Sequence, residues 1–365
     1  MKKVRVHFGD RSYSISIGKG ILKIIGEEAG RFFPGGRALV VTDRNVSPLQ
    51  GPGVLKALAR AGCEASLFAV PAGERSKSIS QLSKIFDKLA ALRMERGCGI
   101  VALGGGVVGD LAGFAAATYL RGMPYIQVPT TLLAQVDSGV GGKTAVDHPT
   151  GKNLIGAFYQ PSAVIAELGA LATLPERQYR AGLAEVVKHA AIADRRFFAY
   201  LEKNAAKVLR REVPTMEHVV AVNCRIKARV VEADEREAGL RQTLNFGHTL
   251  GHAVEWMAGY SNRMLHGEAV AIGMAAAARL SASAGNCSDG DASRLAALLG
   301  RFGLPTSMRN PPSGRALKAA LARDKKTRGG LPKFVLMEKI GQVQTGQDVP
   351  PAGWRAALAG GPPAR

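Results

Sequence analysis

Cysteine is scarce in this 365-residue chain: Cys63, Cys98, Cys224 and Cys287 stand far apart, with no CxxC pair among them. That spacing excludes a disulfide framework and points to reduced thiols in a cytoplasmic setting. Aromatic residues make up only 6% and none interleave with a basic run, so the chain lacks the signature of a nucleic-acid reader, and no nucleic-acid partner is expected. No apolar stretch approaches bilayer length, and the start Met1–Phe8 carries positive charge without an apolar segment behind it, so neither membrane insertion nor export is expected. Acids are outnumbered, 29 against 49 Lys and Arg, for a net charge of +20. Such a chain attracts polyanions; a phosphorylated small-molecule substrate accounts for part of the excess and a solvated basic surface for the rest.

What is present suits a globular protein of more than one core: 46% of residues are hydrophobic, and the length exceeds the usual single-core size. Val4, Val6, Phe8, Tyr13, Ile15 and Ile17 alternate across a Gly9-Asp10 turn, which is hairpin patterning. Buried strands are expected over residues 37–43, 64–70, 99–103 and 125–128, with helical segments such as Ser78 to Met94 between them. This alternation predicts a doubly wound α/β domain over residues 1–175. Beyond Pro175 the segments 180–193, 195–209, 216–233 and 266–285 are Ala-rich and helical in period, so residues 176–365 are expected to be mostly helical, with a cleft between the two as the default place for a ligand. Residues 285–291 read as a loop, and the Pro/Gly/Ala-rich tail from about 350 as flexible.

Gly104-Gly-Gly-Val-Val-Gly-Asp110 follows a predicted strand and opens a helix, the setting in which backbone N–H groups approach a pyrophosphate. The acid expected about twenty residues on is missing, since that region reads Gln127-Val-Pro-Thr-Thr131. Asp43 ends an earlier strand, where it either meets a ribose hydroxyl or caps the next helix, and Thr130 and Thr131 are either cofactor donors or turn formers. A second glycine-rich block, Asp137 to Thr144 with Gly151-Lys152-Asn153, supplies an acid, lysines and an amide, but its spacing fails the ATP-binding GxxxxGK[ST] pattern. Lys188, Lys227, Arg241, Lys325 and Lys326 could line a pocket for a dianion.

Three of the seven histidines fall between 248 and 266, with Glu185 further back and Asn245, Glu255 and Glu268 nearby. His248 and His252 share a helical face at i and i+4, which suits ligation of one ion, with zinc the first choice; the missing Glu after His248 removes a zinc-protease reading.

These blocks, with Tyr119-Leu-Arg-Gly122, Glu185-Val-Val-Lys188, Leu244-Asn-Phe-Gly-His-Thr249, His266-Gly-Glu268 and Asp324-Lys-Lys326, resemble the 3-dehydroquinate synthase family of the shikimate pathway, in order, over about residues 35–345. The resemblance implies a Rossmann-like N-terminal domain followed by an all-helical C-terminal domain, an active site in the cleft between them, and tightly held NAD and one zinc or cobalt ion in a homodimer. It implies Glu185, His248 and His266 as metal ligands, with His252 near the substrate, whereas spacing alone favours His252 as a ligand. Asp43, Glu74, Lys77, Gly105, Gly106, Val107, Asp110, Thr130, Thr131, Lys143, Lys152 and Thr173 would contact NAD. Arg121, Asp137, Lys143, Lys152, Asn153, Lys188, Lys227, Arg241, Asn245, His252 and one of Lys325 or Lys326 would hold 3-deoxy-D-arabino-heptulosonate 7-phosphate, with Lys152, Lys188, Arg241, Asn245 and His252 carrying the catalysis. Gly139 stands where the family commonly has serine, and Glu167 where it has aspartate. Sister cyclases taking sedoheptulose 7-phosphate are expected to differ at Lys227, Asn245 and 324–326, since their substrate lacks a carboxylate. NAD- and metal-dependent polyol dehydrogenases are the other alternative on the same fold.

Overall fold

In a computed structural model the chain is described at residues 1–259, 263–321, 327–328 and 331–361. It forms two compact units, Met1–Pro175 with Val213–Glu232, and Glu176–Glu212 with Ala233–Arg365. Lys325 and Lys326 lie outside the described residues.

The first unit runs β1 (Lys2–Val6), β2 (Tyr13–Gly18), α1 (Ile24–Phe32), β3 (Arg37–Asp43), α2 (Ser47–Arg60), β4 (Glu64–Val70), α3 (Ile79–Ala91), β5 (Gly99–Gly104), α4 (Gly106–Thr118), β6 (Tyr125–Pro129), β7 (Lys143–His148), β8 (Gly151–Phe158) and β9 (Ala163–Glu167). Seven strands make one sheet in the order β1-β2-β9-β6-β5-β3-β4, parallel except for the β1/β2 hairpin at its edge. Because successive side chains point to opposite faces, Leu39, Val41, Ile100 and Ala102 enter one core while Ala38, Val40, Val101 and Leu103 enter the other. Apolar runs without alternation are what a strand covered on both faces requires, and that is why β3, β5 and β6 were readable in the sequence. The Ser78 hydroxyl caps α3 by accepting from Gln81 N at 3.3 Å.

The second unit begins with α5 (Glu176–Ala193) and α6 (Arg195–Leu209); α7 (Val213–Ala233), next in the chain, groups almost wholly with the first unit. Then follow α8 (His248–Met257), α9 (His266–Ser283), α10 (Asp289–Arg301), α11 (Gly314–Leu321), the short pair β10 (Thr327–Arg328) and β11 (Leu331–Pro332), the hairpin β12 (Phe334–Lys339) and β13 (Gln342–Gln347), and α12 (Trp354–Ala359). The unit is largely helical, but where an all-helical domain is expected it also carries the β12/β13 hairpin and the short β10/β11 pair. Ser281 Oγ accepts from Met337 N at 2.8 Å and so docks that hairpin on α9. Among the described residues no helix is long and apolar enough to cross a membrane.

Two further expectations are corrected. Residues 285–291 are not wholly loop: Ser288 accepts from Asp291 N at 3.0 Å, and the acids of the first turn start α10 at Asp289. The tail from 350 is not loose up to its described end, because Trp354, Ala357 and Leu358 are buried in the core of α8, α9 and α11, with the Trp354 and Phe334 rings 5.6 Å apart. Trp354→Ala should therefore cost about 3–5 kcal/mol, checked by denaturant unfolding; a loss below ~1 kcal/mol would contradict this packing.

Close approach of α9 to its neighbours sets up the site. A Cβ on Gly267 would stand 1.9 Å from Ala181 O of α5, and one on Gly273 would stand 1.9 Å from Gly247 O at the start of α8. No side chain fits at either crossing, so glycine there lets three helices bring Glu185, His248 and His266 together. Gly267→Ala should separate α9 from α5, destabilising the unit by about 1–3 kcal/mol and lowering metal content in the same preparation.

Candidate active site

In the first unit, Gly105 and Gly106 link β5 to α4 at the C-terminal end of a central parallel strand, where open α/β sheets bind ligands. A Cβ on Gly105 would meet Thr131 Cγ2 at 3.1 Å and one on Gly106 would meet Ser138 Oγ at 3.0 Å, so a side chain at either position would press on its neighbour. The first N–H groups of a helix lack intrahelical partners and sit at the positive end of its dipole, which fits a pyrophosphate beside Gly105, Gly106 and Val107. Beside that turn, the buried Thr130 Oγ1 has no hydrogen-bond partner among the described residues. A buried hydroxyl left so costs about 1–3 kcal/mol unless a ligand meets it.

Lys77 Nζ contacts both Asp110 Oδ2 and Asn153 Oδ1. Burial pushes the Asp110 carboxyl above its ordinary range and Lys77 opposes that rise. Lys152 Nζ lies 3.3 Å from Glu74 Oε1, and Lys227 Nζ pairs with the Asp137 carboxylate while donating to Asp137 O at 2.6 Å. Arg121 follows Leu120, both at positive φ (65° and 51°), a strained backbone of the kind found at binding sites. Lys143 opens β7 on an exposed face.

Three proposed cofactor residues also have local roles. Asp43 Oδ1 closes the turn between β3 and α2, accepting from Asn45 N at 2.8 Å and Val46 N at 3.1 Å. Thr131 Oγ1 accepts from Ala134 N at 3.1 Å, and Thr173 Oγ1 donates to Ala170 O at 3.1 Å. The two departures from the family pattern are structural here. Glu167 accepts from the backbone N–H groups of Gly20, Ile21 and Gly169 at 2.8, 2.6 and 2.8 Å, and a Cβ on Gly139 would press to 2.6 Å from Ala134 O.

The second unit holds the cation candidates. Glu185 Oε1 is 3.7 Å from His248 Nε2 and 3.8 Å from His266 Nε2, and the three donor atoms lie within 4.8 Å of one another. Ligand atoms around a tetrahedral zinc sit roughly 3.3–3.5 Å apart, so a small inward movement closes this set on a cation. Two imidazole nitrogens and a carboxylate oxygen suit zinc or cobalt. Burial, aided by Lys188, holds His248 well below the ordinary histidine range, in the neutral form that ligates metals. Burial opposes charge on His266 as well, yet hydrogen bonds to Glu185 and Glu255 outweigh it and push its pKa up to about 10. Lys188 Nζ pairs with Glu185 Oε2 in a buried contact. His252 stands edge-on to His248, ring centroids 5.1 Å apart, outside the trio.

Arg241 is buried, its Nη1 donating to Glu235 O at 2.5 Å and its backbone N to Asp234 Oδ2 at 2.9 Å. Asn245 Nδ2 donates to Glu237 Oε1 at 2.8 Å, with Glu237 at φ +62°. Desolvation works against charge on Asp234, but the N–H groups of Gly239, Arg241 and Ala238 keep its carboxyl below the ordinary range. Asp234 and Glu237 escape a reading by motif, because they act by folding a loop around Arg241 and Asn245. Glu268, grouped with the metal candidates by proximity in sequence, instead caps α9 by accepting from Leu265 N at 2.9 Å.

A doubly wound sheet with a glycine turn at a central strand, and a helical unit in which two histidines and a carboxylate converge, define the class of this protein as α/β-plus-helical. The 3-dehydroquinate synthase N-terminal family matches residues 67–181, and its C-terminal counterpart matches residues 182–327. A 3-dehydroquinate synthase from Pelobacter propionicus is 50% identical over 341 residues, 93% of this chain and 94% of the relative. Among solved structures, a 2-epi-5-epi-valiolone synthase from Streptomyces hygroscopicus subsp. jinggangensis with NAD+ and Zn2+ bound is 30% identical, covers 95% of both chains and superposes with a TM-score of 0.86. A 2-deoxy-scyllo-inosose synthase complexed with carbaglucose-6-phosphate, NAD+ and Co2+ is 27% identical over 94% of both chains, with a TM-score of 0.84. The chain belongs to the 3-dehydroquinate synthase family.

Proposed function

We propose that this protein converts 3-deoxy-D-arabino-heptulosonate 7-phosphate into 3-dehydroquinate and inorganic phosphate, using NAD and one divalent cation, zinc or cobalt. The observation that carries the reading is the convergence of Glu185, His248 and His266 beside a buried Lys188, in a chain half identical to a 3-dehydroquinate synthase. When bound, NAD would supply reversible hydride transfer and the cation would supply polarisation of a substrate hydroxyl oxygen.

The chain's own residues do the rest. Gly105, Gly106 and Val107 offer helix-start amides to the pyrophosphate; Asp43, Glu74, Lys77, Asp110, Thr130, Thr131, Lys143, Lys152 and Thr173 complete the cofactor set in residues 1–175. Arg121, Asp137, Lys143, Lys152, Asn153, Lys188, Lys227, Arg241, Asn245 and His252 hold the substrate, the lysines and arginines among them balancing its carboxylate and phosphate, and one of Lys325 or Lys326 joins them. Fixed cations stabilise charge that develops during phosphate loss without reorganising. The substrate's phosphate serves as base for the elimination, so no dedicated side-chain base is required. Lys188, paired with Glu185, and His252, edge-on to His248, would steady the substrate oxygen. One substrate held rigidly through successive steps, ending in ring opening and aldol closure, is the main contribution of the protein. A cytoplasmic homodimer belongs to the same reading.

With NAD far below substrate, many equivalents of phosphate should appear per NAD and no NADH should accumulate. NADH formed in step with product would instead make this a polyol dehydrogenase.

A further inference from the structure

We propose that Glu255 is the positioning residue of the cation centre: by accepting the Nδ1 proton of His266 it turns Nε2 of that ring toward Glu185 and fixes the ligand before a cation arrives. The inference rests on the metal reading of Glu185, His248 and His266 given above.

His248, His252 and Glu255 recur at i, i+4 and i+7, so one face of α8 carries all three. Glu255 is buried, and its Oε2 lies 2.9 Å from His266 Nδ1, on the side of the ring away from the Nε2 that approaches Glu185. An ionised carboxylate only accepts, so the proton of this hydrogen bond belongs to Nδ1 and the ring meets a cation through Nε2. His248 is tied more weakly, its Nδ1 lying 3.3 Å from Phe246 O. The backbone under His266 is fixed from the other side. Arg177 makes a two-point contact with Glu268, Nε to Oε1 at 2.7 Å and Nη2 to Oε2 at 2.8 Å, and Arg177 Nη2 also donates to Arg263 O at 2.9 Å. Glu268 in turn holds Leu265 N. With the turn clamped, rotation of the imidazole is the remaining freedom, and Glu255 removes it. Such partners behind a metal-bound histidine are worth about 10–100-fold in metal affinity.

The test measures zinc affinity of metal-depleted wild type, Glu255→Gln, Glu255→Ala and His248→Ala by competition with a chromophoric chelator, together with the visible absorption of their cobalt forms and thermal unfolding of the metal-depleted proteins. Glu255→Ala should bind zinc about 10–100-fold more weakly and shift the cobalt bands. Glu255→Gln, which keeps the volume and one acceptor, should fall between it and wild type at unchanged thermal stability. Affinity of Glu255→Ala within about twofold of wild type with unshifted bands would overturn the proposal. Should the alanine form not fold, wild-type affinity and bands in Glu255→Gln would do the same. Equal zinc binding by wild type and His248→Ala would show that the centre itself is misread, and the proposal would fall with it.

Discussion

His248→Ala is expected to lose the cation, and with it essentially all turnover. His248 is kept neutral by burial and presents Nε2 3.7 Å from Glu185 Oε1, so on the proposed reading its removal leaves the cation one carboxylate and one ring. Structural zinc sites with four ligands are worth about 10–16 kcal/mol, so one ligand carries on the order of 3 kcal/mol and its loss weakens binding by roughly 10²–10³-fold. Metal analysis after gel filtration should find wild type loaded and the variant empty. A variant that retains the metal after gel filtration would place the ligand elsewhere.

Lys188→Ala should give the opposite pattern: metal retained, turnover down by about 10²–10⁴-fold. Lys188 is one helical turn from Glu185, and its ammonium pairs with the carboxylate oxygen Oε2. A lysine so placed competes with a cation for Glu185, so its removal should leave metal affinity unchanged or raised. In metal-depleted protein, however, the variant removes a buried ion pair and leaves His266 as the charged neighbour of Glu185, a destabilisation of up to about 3–5 kcal/mol that added zinc should offset. Equal metal content in Lys188→Ala and His248→Ala, whether both full or both empty, would sink the division of roles.

Much of the first unit was legible because a parallel sheet covered on both faces leaves apolar runs such as 37–43 and 99–104 in the sequence. The glycine turn was legible for the same local reason, a strand running directly into a helix. The second unit gave helices but hid their ends. The Pro/Gly texture after 350 masks Trp354, whose burial depends on α8, α9 and α11, and Ser288 caps a helix inside a stretch that reads as loop. Spacing on one helix pointed to His252 beside His248, because sequence sees one helix at a time; the approach of α9 to α5 and α8 through Gly267 and Gly273 is what gathers Glu185, His248 and His266. Glu255, Asp234 and Glu237 carry no motif, since each acts by holding another side chain or a loop.

The most direct measurement is phosphate release from 3-deoxy-D-arabino-heptulosonate 7-phosphate with catalytic NAD, with and without chelator, alongside sedoheptulose 7-phosphate. Chelator-sensitive release from the first substrate alone is the expected result. Release from sedoheptulose 7-phosphate alone would assign the chain to a sister cyclase, and release from neither would contradict the cyclase reading altogether.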